Sequence, residues 1–497
     1  MNARTQFATH TLSLALISAM SIPAPVHADN DRDEHGDFGA KVEHLLNSQS
    51  ERLFGFNRPL VESAPATTGA YRSAGQSAND QILLAKGLRA RYLTREAGNH
   101  TDMMALYPVA NPTHLISCVE GGREVIGTLA DGSEKYNPSV QRIELATGKV
   151  ETILRGMDRC DGISATDWGT ILATEETDDG IAVEIMNPLS VTEQTVLDRG
   201  APGMPADMTD PDNIVKRYNM PTMAWEGLTV LPTGVVIGGD EERPGSGGPD
   251  ADGGAIFKFV PTVPRLDDSM ITDLAQSPLI MGNSYAMQVS CVNNKQQVGQ
   301  GCEIGNAAWV QVDAANARVD ADAKLATGFY RPEDLHSDPL YTGPGVRFCW
   351  ANTGNEGAKN YAEVVCGIDS DPLVAEANLR SVEINRFVEG DLDFNSFDNL
   401  AFQPGTGNLY VIEDHNNGDV FACLQDGADR DIKSDGCVKM LSVKDTSAEP
   451  TGFMFSNDGR TAYVTIQHSD DSNMPMVDDY ATDDLIMITG FKVKSGK

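Results

Sequence analysis

The sequence has little positive charge. It contains 38 Lys and Arg residues against 72 Asp and Glu residues, a formal net charge of −34. A field of this sign repels nucleic acid and anionic lipid surfaces, so neither is expected as a partner. The acidic balance suits a protein that binds cations or one that works in a salty environment, and composition alone does not separate the two.

Long apolar runs are scarce as well. The exception is residues 12–19, which follow Arg4 and precede a small-x-small sequence at residues 26–28. This pattern predicts a signal peptide over residues 1–28. Because it has no twin arginine, we expect export by the Sec route. No other stretch is apolar enough over the length of a membrane helix. We therefore expect the mature protein to be soluble and to be periplasmic or secreted. We also expect it to be a monomer.

Two common catalytic motifs are missing. The sequence has no Gly-x-Ser-x-Gly, the turn that presents a serine nucleophile in many hydrolases, and no Gly-x-x-x-x-Gly-Lys-Ser/Thr phosphate-binding loop. Helical periodicity is also weak. Short runs rich in β-formers alternate with Gly, Pro, Asp and Asn, which is typical of an all-β fold.

Eight cysteines in an exported chain indicate disulfides. Three pairs are close in sequence, and we predict that each is bridged: Cys291 with Cys302, Cys349 with Cys366, and Cys423 with Cys437. Cys118 and Cys160 remain. Either they form a fourth bridge or Cys160 is a free thiolate with another role.

Four segments of the chain resemble one another. They cover residues 160–176, 225–241, 398–414 and 449–468, and each contains a polar group, a hairpin turn, an apolar strand and polar residues at the strand end. Recurring hairpins of this kind predict a β-propeller of about six blades over residues 82–497, preceded by an arm at residues 29–81. A hairpin brings its two ends together, so the polar residues should form a collar around the channel.

That collar would be rich in carboxylates. Like charges a few ångströms apart raise each other's pKa and destabilise a fold, so many converging carboxylates require cations. Hard oxygen ligands suit Ca²⁺ or a trivalent metal. His415 and His468 also follow strand ends and could be ligands, proton donors or structural residues. The candidate carboxylates are Glu175, Glu176, Glu226, Asp240, Glu241, Glu333, Asp334, Glu413, Asp414 and Glu449.

The order of these motifs resembles the PhoX family of secreted alkaline phosphatases. Cys160-Asp161-Gly162, Trp168-Gly169-Thr170 and Glu175-Glu176 are similar to that family's CxGG…PWGTWLTCEE segment. Similar motifs follow in the same order up to His468: Glu226-Gly227, Gly239-Asp240-Glu241, Arg331-Pro332-Glu333-Asp334, Asp398-Asn399-Leu400, Glu413-Asp414 and Glu449-Pro450-Thr451-Gly452.

The resemblance implies a propeller whose channel holds ferric and calcium ions and hydrolyses small phosphomonoesters. By position, Cys160 would be a thiolate ligand of iron, Arg331 would contact the substrate phosphate, and Glu333 would be both a catalytic residue and a metal ligand. Glu175, Glu176, Glu226 and Asp240 would also bind metal, with Glu413, Asp414 and Glu449 as further candidates.

Two other functions fit the same sequence. One is a calcium-stabilised propeller that acts as a binding module without catalytic iron. The other is a lactonase-type hydrolase with one axial Ca²⁺, for which Asn399 would be a suitable ligand. Cys160 discriminates among them, because a bridge to Cys118 would remove the thiolate and favour the calcium-only alternatives.

Overall fold

Six blades of mainly antiparallel strands, arranged around a central channel, make up most of the structure. The computed structural model describes residues 38–67, 71–245, 252–289, 304–425, 436–470 and 472–493. The predicted all-β propeller is confirmed. The predicted signal peptide lies outside the described residues, and the boundary between arm and propeller at residue 81 stays a prediction.

Blades 1 to 3 are built in chain order, each from the channel outward. Blade 1 contains Thr101–Tyr107, His114–Val119, Pro138–Glu144 and Val150–Arg155, and is extended by Gln194–Asp198 and Asp207–Met208. Blade 2 contains Cys160–Ala165, Thr170–Glu175, Ala182–Met186 and Ile214–Lys216. Blade 3 contains Trp225–Val230, Val236–Asp240, Ile256–Pro261, Gly282–Val289 and Gly305–Val312. A separate hairpin, Val125–Thr128 with Glu134–Tyr136, projects from blade 1.

Blades 4 to 6 follow the same plan. Blade 4 contains Pro332–Ser337, Val346–Asn352, Glu363–Asp369 and Val382–Glu389, and its outer strand pairs with the outer strand of blade 3. Blade 5 contains Phe397–Phe402, Leu409–Glu413, Asp419–Cys423 and Val438–Val443, with Ile82–Leu84 added at its edge. Blade 6 contains Glu449–Phe455, Thr461–Gln467 and Thr482–Thr489, with Arg89–Gly98 outermost.

The ring closes through strands from both ends of the propeller sequence. Arg89–Gly98 pairs antiparallel with Thr482–Thr489, so blade 6 takes its outer strand from before blade 1. The innermost strands pack side by side in chain order, and the sixth packs against the first. Closure of this kind protects sheet edges that would otherwise be open.

Apolar side chains fill the spaces between neighbouring blades. Leu172, Trp168 and Met223 of the blade 2 side meet Trp225 and Phe257 of blade 3, for example. Five further buried clusters occupy the other contacts around the ring. Because side chains alternate along a strand, a blade buries one face against each of its two neighbours: Ile171 and Ala173 pack toward blade 1 and Leu172 toward blade 3. The strand ends remain free to carry polar residues.

The segments before blade 1 are irregular apart from short elements. Backbone hydrogen bonds join Leu60 to Lys439 (2.9 Å) and Thr67 to Lys444 (2.8 Å) at the edge of blade 5. The α-helices are Phe38–Ser48, Ser50–Leu53, Ala78–Gln81 and Ala317–Ala323, and the 3₁₀ turns are Leu274–Gln276, Pro278–Ile280, Ala314–Asn316 and Glu356–Ala358. No helix among the residues that the structure describes is long and apolar enough to cross a membrane.

Three disulfides occur among the described residues. Cys349–Cys366 joins two strands of blade 4, and Cys423–Cys437 lies in blade 5. Both predicted pairs are confirmed. The third joins Cys118 of blade 1 to Cys160 of blade 2. The predicted pair Cys291–Cys302 lies outside the described residues.

Candidate metal centre

Five of the six blades have a carboxylate at the second position of the innermost strand. The sixth blade has a proline at that position. Four of the five carboxylates are buried, and the one in blade 5 is partly exposed. We call this set the first ring; its members are Asp102, Asp161, Glu226, Glu333 and Asp398.

A second set follows the adjacent strand of each blade. The strand register pairs the first residue of each innermost strand with the last residue of its neighbour, for example Cys160 with Glu175 and Phe397 with Glu413. The residue after that last position is therefore equivalent in all six blades. It is a carboxylate in four of them, with Thr353 in blade 4 and His468 in blade 6. We call these four the second ring: Glu120, Glu176, Glu241 and Asp414.

Members of the two rings come close enough to share cations. Three groups have ligand oxygens within 4.8 Å of one another. Asp161 belongs to the first two groups and Glu226 to the last two, so the groups form a chain from blade 1 to blade 5. The groups are Asp102, Glu120 and Asp161; Asp161, Glu176 and Glu226; and Glu226, Glu333 and Asp398.

Burial and mutual repulsion keep protons on these acids. Burial raises the pKa of Glu333 to about 8, although Arg331 opposes the shift. Burial also raises the pKa of Asp102 and of Glu120 to about 7 each. For Asp161, burial and then the charges of Asp102 and Glu176 raise the pKa well above its ordinary value. The rings therefore cannot all ionise near neutral pH unless cations compensate them.

Two arginines lie among the acids. Arg331 forms ion pairs with Glu241, with Glu333 at 3.0 Å and with Asp414 at 3.2 Å. Arg159 forms ion pairs with Glu120 and Glu176. Sequence reasoning identified Arg331 and missed Arg159, which directly precedes the conspicuous Cys160.

Three predicted ligands lie apart from the rings. Glu175, Asp240 and Glu413 are each the last residue of a second strand, and each has protein partners of its own. Glu175 pairs with Arg199 at 2.6 Å, and Asp240 pairs with Arg318 at 2.7 Å. Glu413 accepts hydrogen bonds from the backbone amides of Asn395 and Asp419, both at 3.0 Å.

The reason is the alternation of side chains along a strand. Only one carboxylate of an adjacent pair can face the channel. In Glu175-Glu176, Asp240-Glu241 and Glu413-Asp414 the second residue does so, while the first holds the loops of its own blade. The prediction named both members of Glu175-Glu176 and of Glu413-Asp414, and Asp240 of the third pair, as metal ligands; in the structure the first member of each pair lies apart from the rings.

The predicted thiolate ligand is also contradicted. Cys160 is bonded to Cys118, with a Cα–Cα distance of 5.0 Å, and has no thiolate to offer a metal. Its sulfur lies in the apolar cluster between blades 1 and 2. Cys160 is the first residue of its strand, so its side chain points away from the face that carries Asp161.

Glu449, another predicted ligand, accepts a hydrogen bond from His468. Its Oε1 lies 3.0 Å from His468 Nε2, while His468 Nδ1 lies 2.6 Å from the carbonyl oxygen of Ser447. Burial lowers the pKa of His468, but the bond to Glu449 and that carboxylate's charge outweigh it and raise the pKa to about 9. Glu449 therefore faces an imidazolium near neutral pH.

A cavity of about 710 Å³ opens beside the rings. Glu120, Arg159, Glu449 and His468 contribute to its lining, together with the apolar residues Val119, Ile126, Met476 and Tyr480. The cavity thus joins charged groups of the channel mouth to a partly apolar wall, an arrangement suited to a small ligand.

Sequence reasoning did not consider four of the ring carboxylates as ligands, Asp102, Glu120, Asp161 and Asp398, and it counted a fifth, Glu241, among the acids of the collar without assigning it as a ligand. The hairpins were matched on their second strands, where acid pairs are obvious. Matching them on the first strand would have shown an acid at its second position in blades 2 to 5. Blade 1 has a single acid on its first strand, Asp102, and a single acid after its second, Glu120, so it contains no acid pair to match.

Comparison with known sequences found one family match. Residues 246–470 match the family model of alkaline phosphatase PhoX. A search of curated protein sequences found no match.

One solved structure shares the fold of this chain. PhoX from Pseudomonas fluorescens, solved in complex with vanadate, a transition state analogue, has a TM-score of 0.57 at 16% sequence identity, and the match covers 88% of this chain and 98% of that one. A gluconolactonase from Xanthomonas campestris matches with a TM-score of 0.39 at 12% identity, over 87% and 98% of the two chains. Family match and fold agree: this chain shares the β-propeller fold of that PhoX structure, and its resemblance to the PhoX alkaline phosphatases is confirmed by the family match over residues 246–470.

Proposed function

We propose that this protein is an exported, metal-dependent alkaline phosphatase whose cations, Ca²⁺ and Fe³⁺, are held by the two carboxylate rings. The match to the PhoX family indicates a phosphomonoesterase. The observation that carries the metal proposal is the convergence of carboxylates from five consecutive blades into groups that share members.

The residues fit hard cations. Every candidate donor in the three groups is a carboxylate oxygen, the ligand type that Ca²⁺ and Fe³⁺ prefer. Among the residues that the structure describes, Asp161 Oδ1 is buried and has no hydrogen-bond partner. A buried carboxylate oxygen without a partner is costly, and a cation in the cluster would satisfy it.

Hydrolysis of a phosphomonoester requires a metal-activated nucleophile and binding of the phosphate oxygens, and different residues serve these two requirements. Bound cations would neutralise phosphate charge, activate a water-derived nucleophile and stabilise the leaving oxygen. Arg331 offers a planar guanidinium of the kind that suits two phosphate oxygens. Its present partners Glu241, Glu333 and Asp414 hold it at the channel mouth.

The organic part of the substrate has room in the cavity next to the rings. Its apolar wall and its volume of about 710 Å³ suit a small leaving group. A small phosphomonoester could therefore place its phosphate at the rings and its alcohol portion in the cavity.

Export is consistent with the cysteine chemistry. Three disulfides among the described residues are typical of an oxidising compartment. A periplasmic or extracellular location and the signal peptide at residues 1–28 belong to the same proposal.

Metal content and turnover on one sample test this function. Protein purified without chelator or affinity tag should contain calcium and iron by inductively coupled plasma mass spectrometry and should hydrolyse p-nitrophenyl phosphate at alkaline pH. Chelation should remove both metal and turnover, and re-addition should restore them. Calcium without turnover would contradict the phosphatase proposal and favour a calcium-stabilised binding module, which the Cys118–Cys160 disulfide makes the main alternative.

A further inference from the structure

Arg159 and Arg331 occupy the same position in two different blades. Each directly precedes the innermost strand, of blade 2 and blade 4 respectively. Each has a left-handed backbone conformation, with φ of 52° for Arg159 and 55° for Arg331. This conformation is uncommon for residues other than glycine, and here it turns both side chains toward ring carboxylates.

The two guanidinium groups differ in what they have left to donate. In Arg331, Nε, Nη1 and Nη2 are all engaged by Glu241, Asp414 and Glu333. In Arg159, Nε donates to the carbonyl oxygen of Glu176 at 3.2 Å, and Nη2 donates to the carboxylates of Glu120 and Glu176. Arg159 Nη1 has no acceptor within the described part of the chain.

Arg159 is also the more accessible of the two. Its side chain is 43% exposed, against 14% for Arg331. Arg159 contributes to the lining of the 710 Å³ cavity beside the rings. A ligand in that cavity could therefore reach Arg159 without displacing the carboxylates that orient it.

We propose that Arg159 is a second phosphate-binding residue, which donates from Nη1 to a non-bridging oxygen of the substrate phosphate while Glu120 and Glu176 fix its orientation. This inference rests on the proposed phosphatase function. It assigns the cavity side of the phosphate to Arg159 and the far side to Arg331. A guanidinium held by two acids keeps its charge and its fork in place before substrate arrives.

The test uses Arg159→Lys and Arg159→Gln in the full-length, metal-loaded protein, with inorganic orthophosphate as the probe. Lysine keeps the positive charge beside Glu120 and Glu176 but lacks the fork. Arg331→Lys is the comparator. Arg265→Lys is the matched control, since Arg265 lines a separate cavity in the loop after the third strand of blade 3. All variants are compared at equal calcium and iron content.

We expect Arg159→Lys to weaken orthophosphate binding, measured by calorimetry, by about tenfold or more, with a similar rise in KM for p-nitrophenyl phosphate. Arg265→Lys should change neither. Unchanged phosphate affinity in both Arg159 variants would overturn the inference. So would a loss of affinity that appears only in Arg331→Lys, or one that follows loss of metal and disappears at equal metal content.

The experiment distinguishes a failure of the role proposed for Arg159 from a failure of the proposed phosphatase function. If the unmodified, metal-loaded protein neither binds orthophosphate nor hydrolyses phosphomonoesters, the phosphatase proposal itself is wrong. If the unmodified protein does both and the Arg159 variants match it, only the role of Arg159 is wrong.

Discussion

At the residue scale, neighbouring acids in one sequence motif have opposite tasks. Glu176 faces the channel and joins a group with Asp161 and Glu226. Glu175 instead accepts hydrogen bonds from the amides of Asp158 and Ile181 and pairs with Arg199. Glu175 stabilises its blade, and Glu176 is available to a cation. These two tasks explain why the buried strand Thr170–Glu175 is followed by a second glutamate.

This division predicts opposite effects of two conservative substitutions. Asp161→Asn should reduce bound cations and lower turnover by at least about 100-fold, because it removes a charge shared by two groups. Its chelated form should be as stable as the unmodified chelated protein or more so, since a neutral amide avoids the cost of burying an ionisable side chain among other carboxylates, the cost that raises the pKa of Asp161.

Glu175→Gln is the matched control. It should keep the metal content but lower the free energy of unfolding by roughly 1–3 kcal/mol, because Arg199 loses its buried partner. Metal analysis and chemical denaturation measure both quantities. Loss of metal from Glu175→Gln, with metal retained in Asp161→Asn, would reverse the assignment.

The raised pKa values predict how the chelated protein responds to pH. The pKa of Asp102 and of Glu120 is about 7 and that of Glu333 about 8, each raised mainly by burial. Unfolded carboxylates titrate near pH 4. Between about pH 4 and pH 8 the folded state therefore holds more protons than the unfolded state, and the free energy of unfolding falls as pH rises.

Urea denaturation at several pH values in the presence of chelator measures this slope. Calcium should flatten it, because a bound cation replaces the protons. If the free energy of unfolding of the chelated protein instead rises with pH across this window, the ring carboxylates are not neutralised by protons.

At the element scale, strand register places the groups of the site. The innermost strand of each blade presents its second residue to the channel, and the next strand presents the residue after its end. Because side chains alternate, the first residue of the innermost strand points between blades. This is the position of Cys160, and the disulfide to Cys118 ties blade 1 to blade 2.

Replacing both cysteines, Cys118→Ala with Cys160→Ala, should therefore lower stability without removing metal. The bridge spans 42 residues, for which the chain-entropy estimate of its contribution is about 4 kcal/mol. Calcium and iron content and turnover should stay within about twofold of the unmodified protein. Loss of iron from a folded double variant would restore Cys160 as a ligand.

At the scale of the whole molecule, charge and closure determine how the protein is held together. Arg89–Gly98 closes blade 6, and Asp484 of that blade pairs with Arg72 at 2.6 Å and with Arg95 at 2.8 Å. The net charge of −34 opposes compactness. Cations at the channel mouth would relieve part of that repulsion while linking blades 1 to 5.

Calcium should accordingly stabilise the folded protein by mass action. At a free concentration 100 times the Kd of a site that exists only in the folded state, the gain is about 2.7 kcal/mol. Thermal unfolding of the chelated protein at increasing calcium should show a continuing rise in Tm, whereas magnesium, which demands a stricter geometry, should have a smaller effect. A Tm that does not respond to calcium would contradict a calcium site in the rings.

The sequence by itself determined the class of fold and the kind of chemistry. Hairpins repeated with acidic ends predict a propeller with a collar of carboxylates, because strand period and turn chemistry are local properties. The motifs around Trp168, Glu226 and Glu333 were sufficient to identify the family resemblance. The pairs Cys349–Cys366 and Cys423–Cys437 followed from closeness in sequence.

Only the tertiary structure decided which carboxylates meet. Closing six blades into a ring brings Asp102 beside Asp161, and Glu226 beside Asp398, over long separations in sequence. Which member of an acid pair faces the channel depends on strand register, and register depends on contacts with other strands. For the same reason the sequence did not decide between a disulfide from Cys160 to Cys118 and a metal ligand. It also did not indicate that Arg159 lies beside Glu120 and Glu176.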